Sequence, residues 1–187
     1  LSSSSSNPCT VVVVGHDTVE DKGVLMKVDF SDLSYSFLYV SASGVHLNDV
    51  MVRSGGGSIT TVVGDDGLIL HSINMVDFSV LDTTVTYIVD DLHVISSRNS
   101  QAVIVGPDFI EPCSQGSSFS WSVPVEAPGN LITDAYRKTD SQYYGVGDKL
   151  YSINTVPYSL DPITRYSPWP LNASSIAYGS AVFLVST

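Results

Sequence analysis

The sequence predicts an all-β fold of about five blade-like repeats, and three observations carry that prediction. The first is an internal echo. Ser72-Ile73-Asn74-Met75-Val76-Asp77-Phe78-Ser79-Val80 returns 80 residues later as Ser152-Ile153-Asn154-Thr155-Val156-Pro157-Tyr158-Ser159-Leu160. The second is another copy of its tail, Val28-Asp29-Phe30-Ser31-Asp32-Leu33, placed 48 positions before Val76-Asp77-Phe78-Ser79-Val80-Leu81. A step of 48, and one near twice 40, match one small sheet per repeat. The third is residue usage. Short runs of Val, Ile, Leu and Tyr alternate with Ser, Thr, Asp and Gly, which suits strands and turns rather than helices.

Five segments then read as hairpins, each an apolar strand, a short polar or Gly-containing turn and a second apolar strand. Val11–Val14 joins Val24–Val28 through His16–Gly23. Ile59–Val63 joins Leu68–Ile73 through Gly64-Asp65-Asp66-Gly67, where Asp-Gly between apolar runs is a strong local hairpin signal. Leu92–Ile95 pairs with Ala102–Val105, Tyr143–Val146 with Leu150–Ile153, and Ile176–Tyr178 with Val182–Val185. Measured at Leu25, Ile69, Ile104, Leu150 and Phe183, the repeats step by 44, 35, 46 and 33 residues. Between them lie further strands at Phe37–Val40, Val50–Arg53, Thr83–Val89, Ser118–Val123, Leu131–Tyr136 and Thr164–Tyr166. Three to four strands per repeat make a β-propeller blade. The alternative is a β-sandwich or jelly roll, which shows similar strand and turn spacing.

Residues 1–10 form a Ser-rich N-terminal arm and residues 11–187 one all-β repeat domain, or a piece of a larger propeller. Leu1, followed by Ser2–Ser6, reads as a processed end. The last hairpin lacks a following strand, so Ala181–Val185 needs a partner, expected to be Val11–Val14 or the same strand of a neighbouring chain. The echo also predicts that Ile73 and Ile153, and Phe78 and Tyr158, hold equivalent places in two blades.

Charge narrows the function. With 8 Lys and Arg against 19 Asp and Glu, the net charge of -11 disfavours nucleic acid. No run of 18 apolar residues is present to span a membrane as a helix. Cys9 and Cys113, read as a disulfide, the sequon Asn172-Ala173-Ser174 with Asn172 as glycosylation site, and the Ser-rich lead suggest a secreted or surface location.

No residue set requires a reaction. His16, His46, His71 and His93 are scattered singly, without zinc-site spacing, and read as ordinary strand or loop histidines. Acidic groups at Asp17, Glu20 and Asp21, at Asp65 and Asp66, and at Asp90 and Asp91 sit in turns, where they offer at most part of a calcium shell. No cofactor is expected. Serines lack a Gly-x-Ser-x-Gly elbow. Tyr143, Tyr158, Tyr166 and Trp169, stiffened by nearby prolines, could form a rigid aromatic platform for a ligand.

The organisation resembles the β-propeller superfamily in the manner of kelch, NHL and quinoprotein-type blades. The resemblance lies in the strand pattern of the whole chain. Gly55-Gly56-Gly57 is similar to the kelch diglycine but precedes a strand, and Trp-Asp and Tyr-Trp-Thr-Asp signatures are missing, so the likeness implies a fold and not a family. The function expected is that of an extracellular, non-enzymatic structural or interaction module. It would build or decorate an assembly with other protein chains, or with copies of itself, through its strand edges. A carbohydrate-binding or glycoside-cleaving propeller is the alternative, with glycans as ligands, and a viral coat or protrusion domain is the second.

Overall fold

Runs of β-branched residues separated by Asp, Ser and Gly become short antiparallel meanders. The computed structural model describes residues 2–3, 10–53, 59–80, 92, 94–98, 101–106, 109–115, 119–121, 125–126, 132–139, 141–155, 158–162, 175–178 and 183–186. Two compact units emerge, Leu1–Ile95 and Ser96–Thr187.

In the first unit, sheet one orders β1 (Ser2–Ser3), β2 (Thr10–Asp17), β3 (Lys22–Asp29) and β4 (Ser34–Ser43) side by side. The β2–β3 turn is built by Asp17, whose Oδ1 accepts hydrogen bonds from the backbone N–H groups of Val19 at 2.9 Å and Glu20 at 3.2 Å. Asp21 completes it with a left-handed φ of 53°. Asp29 and Asp32 serve the β3–β4 turn alike, accepting from the N–H groups of Ser31 and Ser34, each at 2.9 Å.

Sheet two orders β5 (Leu47–Arg53), β6 (Ile59–Gly64), β7 (Ile69–Ser72) and β8 (Ser79–Val80). The Asp-Gly connection is a hairpin as expected, but Asp65–Gly67 forms a 3-10 turn, with Asp66 at φ 54° and Gly67 at φ 70°. Val12, Leu25, Leu47, Val50, Val62 and Leu70 interlock between the two sheets as the core. Every residue of β6 and β7 is buried. A strand with one wet face would expose alternate residues, so the centre of sheet two, β6 and β7, is covered on both faces.

Sheet three contains β9 (Val94–Arg98), β10 (Gln101–Val105), β11 (Phe109–Gln115) and β12 (Phe119–Trp121), with β13 (Val125–Glu126) also on β11. In the second unit, sheet four orders β14 (Ile132–Arg137), β15 (Gln142–Gly147), β16 (Leu150–Thr155) and β17 (Tyr158–Pro162), with β15 buried from Tyr143 to Gly147. Sheet five pairs β18 (Ser175–Tyr178) with β19 (Phe183–Ser186), and β18 lies against β14 and β15.

All five expected hairpins form. The strands expected at Thr83–Val89 and Thr164–Tyr166 lie outside the described residues. Two expectations need correction. Ile73 and Ile153 stand at the same step of the repeat, yet Ile73 is 57% exposed in a turn and Ile153 is 0% exposed within β16. Val11–Val14, the expected partner of the last hairpin, is flanked by β3 along its length and by β1 at Val11 and Val12, so that edge is already partly filled.

Candidate functional site

Three pieces of unit one converge beside the core. β2 ends at His16 and Asp17, the next turn ends at Asp21, and the link from β4 to β5 carries His46. That link is tightly clamped. Gly23 donates its N–H to Val45 O at 2.9 Å and to Ser41 Oγ at 2.8 Å, and a Cβ on Gly23 would sit 2.7 Å from Leu47 Cγ. A Cβ on Gly64 would collide with the carbonyl oxygen of His46. Both glycines therefore make room for the backbone that presents His46.

The side chains then meet. His16 Nε2 lies 3.0 Å and His46 Nε2 3.2 Å from the same oxygen, Oδ1 of Asp21. The two imidazole rings are 4.1 Å apart, tilted by 59°. On its far side, His46 Nδ1 lies 2.9 Å from Oδ2 of Asp65. Asp65 is fixed in turn by the His46 N–H at 3.0 Å and by Asn48 Nδ2 at 2.9 Å, while Asn48 also donates to the carbonyl of Leu92. Hydrogen bonds from His46 and His16 hold the Asp21 carboxyl below the usual carboxylate range. The hydrogen bond to Asp21 raises His46 against the opposing effect of burial, with help from the charges of Asp65 and Asp21. Sequence reading missed this group because His16 and His46 are 30 residues apart. The available signal was that His16 opens the acidic turn ending at Asp21, while nothing local ties His46 to Asp65, 19 residues on.

A second surface lies on β4. Tyr35, Phe37 and Val40 are 67%, 58% and 47% exposed, and the preceding turn adds Phe30 and Leu33. Tyr35 and Phe37 meet edge to face with ring centroids 6.0 Å apart. A shallow open cleft at the start of the strand is lined by Lys27, Asp29, Ser34, Tyr35 and Ser36.

The expected sites fare differently. Tyr143 is fully buried in β15. Tyr158 opens β17, where only its backbone is described, opposite Thr155, and Tyr166 and Trp169 lie outside the described residues. Cys113 stands in β11 between Ala102 and Trp121, while Cys9 and Asn172 lie outside, and no disulfide occurs among the described residues.

These contiguous four-stranded meanders make the chain an all-β protein with a β-propeller-like fold. No family model matches the sequence, and no curated protein matches it. Solved structures do. The N-terminal domain of Nup159, a β-propeller, is similar to it with a TM-score of 0.51 and 11% identity over 86% of this chain. The same values relate it to a complex of Saccharomyces cerevisiae Dbp5 bound to Nup159, Gle1, IP6 and ADP. The chain spans 49% of the length of each matched chain, and at such low identity the likeness is one of fold. The expectation of a secreted or surface location is corrected here, because the matched structures are domains of a nuclear-pore protein.

Proposed function

We propose that the chain is a non-enzymatic interaction module that receives an extended segment of another protein along the outer edge of β4. The observation that carries this reading is the make-up of that edge. β4 is the outermost strand of sheet one and spans 10 residues, Ser34-Tyr35-Ser36-Phe37-Leu38-Tyr39-Val40-Ser41-Ala42-Ser43. None of them is charged, in a chain with a net charge of -11. Exposed edges are normally blunted by shortness, charge, proline or a bulge, since an open row of N–H and C=O groups invites strand addition. β4 is long, uncharged and aromatic, its two register shifts against β3 lie from Phe37 onward, and a partner strand would gain backbone hydrogen bonds from the edge and contacts from Tyr35 and Phe37. The likeness to Nup159, which occurs in a complex with other protein chains, supports a protein partner.

Panning a random-peptide display library on the whole chain tests this. Selected peptides should be extended and apolar, slow amide exchange across Ser34–Ser43, and bind at least about tenfold more weakly to Phe37→Lys, which adds a charge to the edge. Circular dichroism would verify that the variant folds. Peptides that bind Phe37→Lys as well as the parent, without slowing exchange in β4, would refute the reading.

A further inference from the structure

We propose that His16, Asp21 and His46 bind one divalent transition-metal ion of the zinc class. This is independent of the β4 edge. The ligand atoms, two imidazole Nε2 and one carboxylate oxygen, lie within 4.8 Å of one another. Around a tetrahedral ion with bonds of about 2.0–2.1 Å, neighbouring donor atoms stand roughly 3.3–3.4 Å apart. The two His–Asp21 separations, 3.0 and 3.2 Å, need to open by a few tenths of an ångström, and the two Nε2 atoms, within 4.8 Å of each other, need to settle to the same spacing to hold the ion.

A second carboxylate stands behind the His46 ring. Asp65 Oδ2, 2.9 Å from His46 Nδ1, favours the tautomer that carries its proton on Nδ1. With Nδ1 engaged by Asp65, Nε2 is the nitrogen that would hold the ion. Without an ion, a neutral His16 and a protonated His46 satisfy the same contacts by donating to Asp21, so the ion would take the place of those two hydrogen bonds. A carboxylate bound to the outer nitrogen of a ligating histidine is also how metal sites orient the ring and raise its basicity. Two imidazoles with one carboxylate suit zinc, cobalt, nickel or copper, while calcium and magnesium require mostly oxygen ligands. His16 and His46 are each 38% exposed, so the ion can enter from solvent and keep a water as its fourth ligand. Bound there, it would fasten the β2–β3 turn to the link entering β5.

Calorimetric titration of the chelator-treated full chain with zinc chloride should show one ion per chain. His16→Ala and His46→Ala should each abolish that binding, and Asp65→Asn should weaken it about tenfold or more by releasing the His46 ring. Cobalt should give the visible spectrum of a four-coordinate ion, lost in the same variants, whose folding is checked by circular dichroism. A Cys9→Ser, Cys113→Ser variant should keep the site. No zinc heat, or binding that persists in the folded His16→Ala and His46→Ala variants, would overturn the proposal.

Discussion

The two copies of the echo share Ser, Ile, Asn, Val and Ser at matched positions, yet they end their strands in different ways. In the first, the chain leaves β7 at Ser72 and folds around Asn74. Its Oδ1 accepts from the N–H groups of Val76 at 2.9 Å and Asp77 at 3.0 Å and from Ser72 Oγ at 3.0 Å, and its Nδ2 donates to Asp77 Oδ2 at 2.9 Å. Met75 takes a left-handed φ of 58°. In the second, β16 runs on to Thr155, and Asn154 reaches across to β17, donating to Ser159 Oγ at 2.9 Å. Position 77 is Asp and its counterpart is Pro157, which has neither the N–H nor the carboxylate that the Asn74 loop uses. Thr155, β-branched, is also a poor substitute for Met75 in the left-handed region. One asparagine thus makes a turn where its neighbours can donate to it, and a cross-strand bond where they cannot.

The sharpest way to break this contrast is to truncate the shared isoleucine. Ile153→Ala should cost about 2–5 kcal/mol because the side chain is fully buried. Ile73→Ala, 57% exposed, should stay within about 0.5 kcal/mol. Urea unfolding midpoints measure both, and equal losses would mean that the two copies are packed alike. Asp77→Pro imposes the second copy's chemistry on the first. Losing its N–H and its carboxylate bond to Asn74 should destabilise by about 1–3 kcal/mol, and amide exchange should quicken at Val76; an unchanged midpoint would dismiss the Asn74 loop as the cause of the difference.

The smallest effect concerns His71, which the repeat step aligns with Tyr151. Burial in β7 holds the His71 imidazole below its ordinary value of 6.5. The folded state thus binds a proton less readily than the unfolded one, so the contribution of His71 is full above about pH 6.5 and declines as the pH falls through the folded value. The unfolding midpoint of the parent should fall more steeply on acidification than that of His71→Gln; parallel curves would exclude His71 as the source. Tyr151, by contrast, is raised by burial and by its hydrogen bond to Asp148 at 2.7 Å, and stays neutral throughout this range.

Strand pairs joined by tight polar turns were legible because apolar runs and Asp or Gly punctuation are local signals. β11 and β17 were not, since Pro112 falls inside the first and Pro162 ends the second, and proline ordinarily argues against a paired strand. The exposure of Ile73 was hidden for a different reason: identical residues conceal a turn decided by Asp77. The meeting of His16 with His46 depends on the sheets packing through β2 and β5, with Gly23 and Gly64 admitting the backbone between them, and no periodicity in the chain encodes that contact.

The meander itself has a kinetic consequence. Apart from the pairing of β11 with β13, every described strand pair joins neighbours in sequence, and the β15–β16 register closes from Val146 to Leu150 across three residues. Closing so short a loop costs little chain entropy, so each sheet can zip up soon after its own residues leave the ribosome. The slow step is then the docking of finished sheets, when β6 and β15 first lose water from both faces. Until that moment the ordered sheets expose strands that end up buried, and that interval is when this chain is most exposed to aggregation.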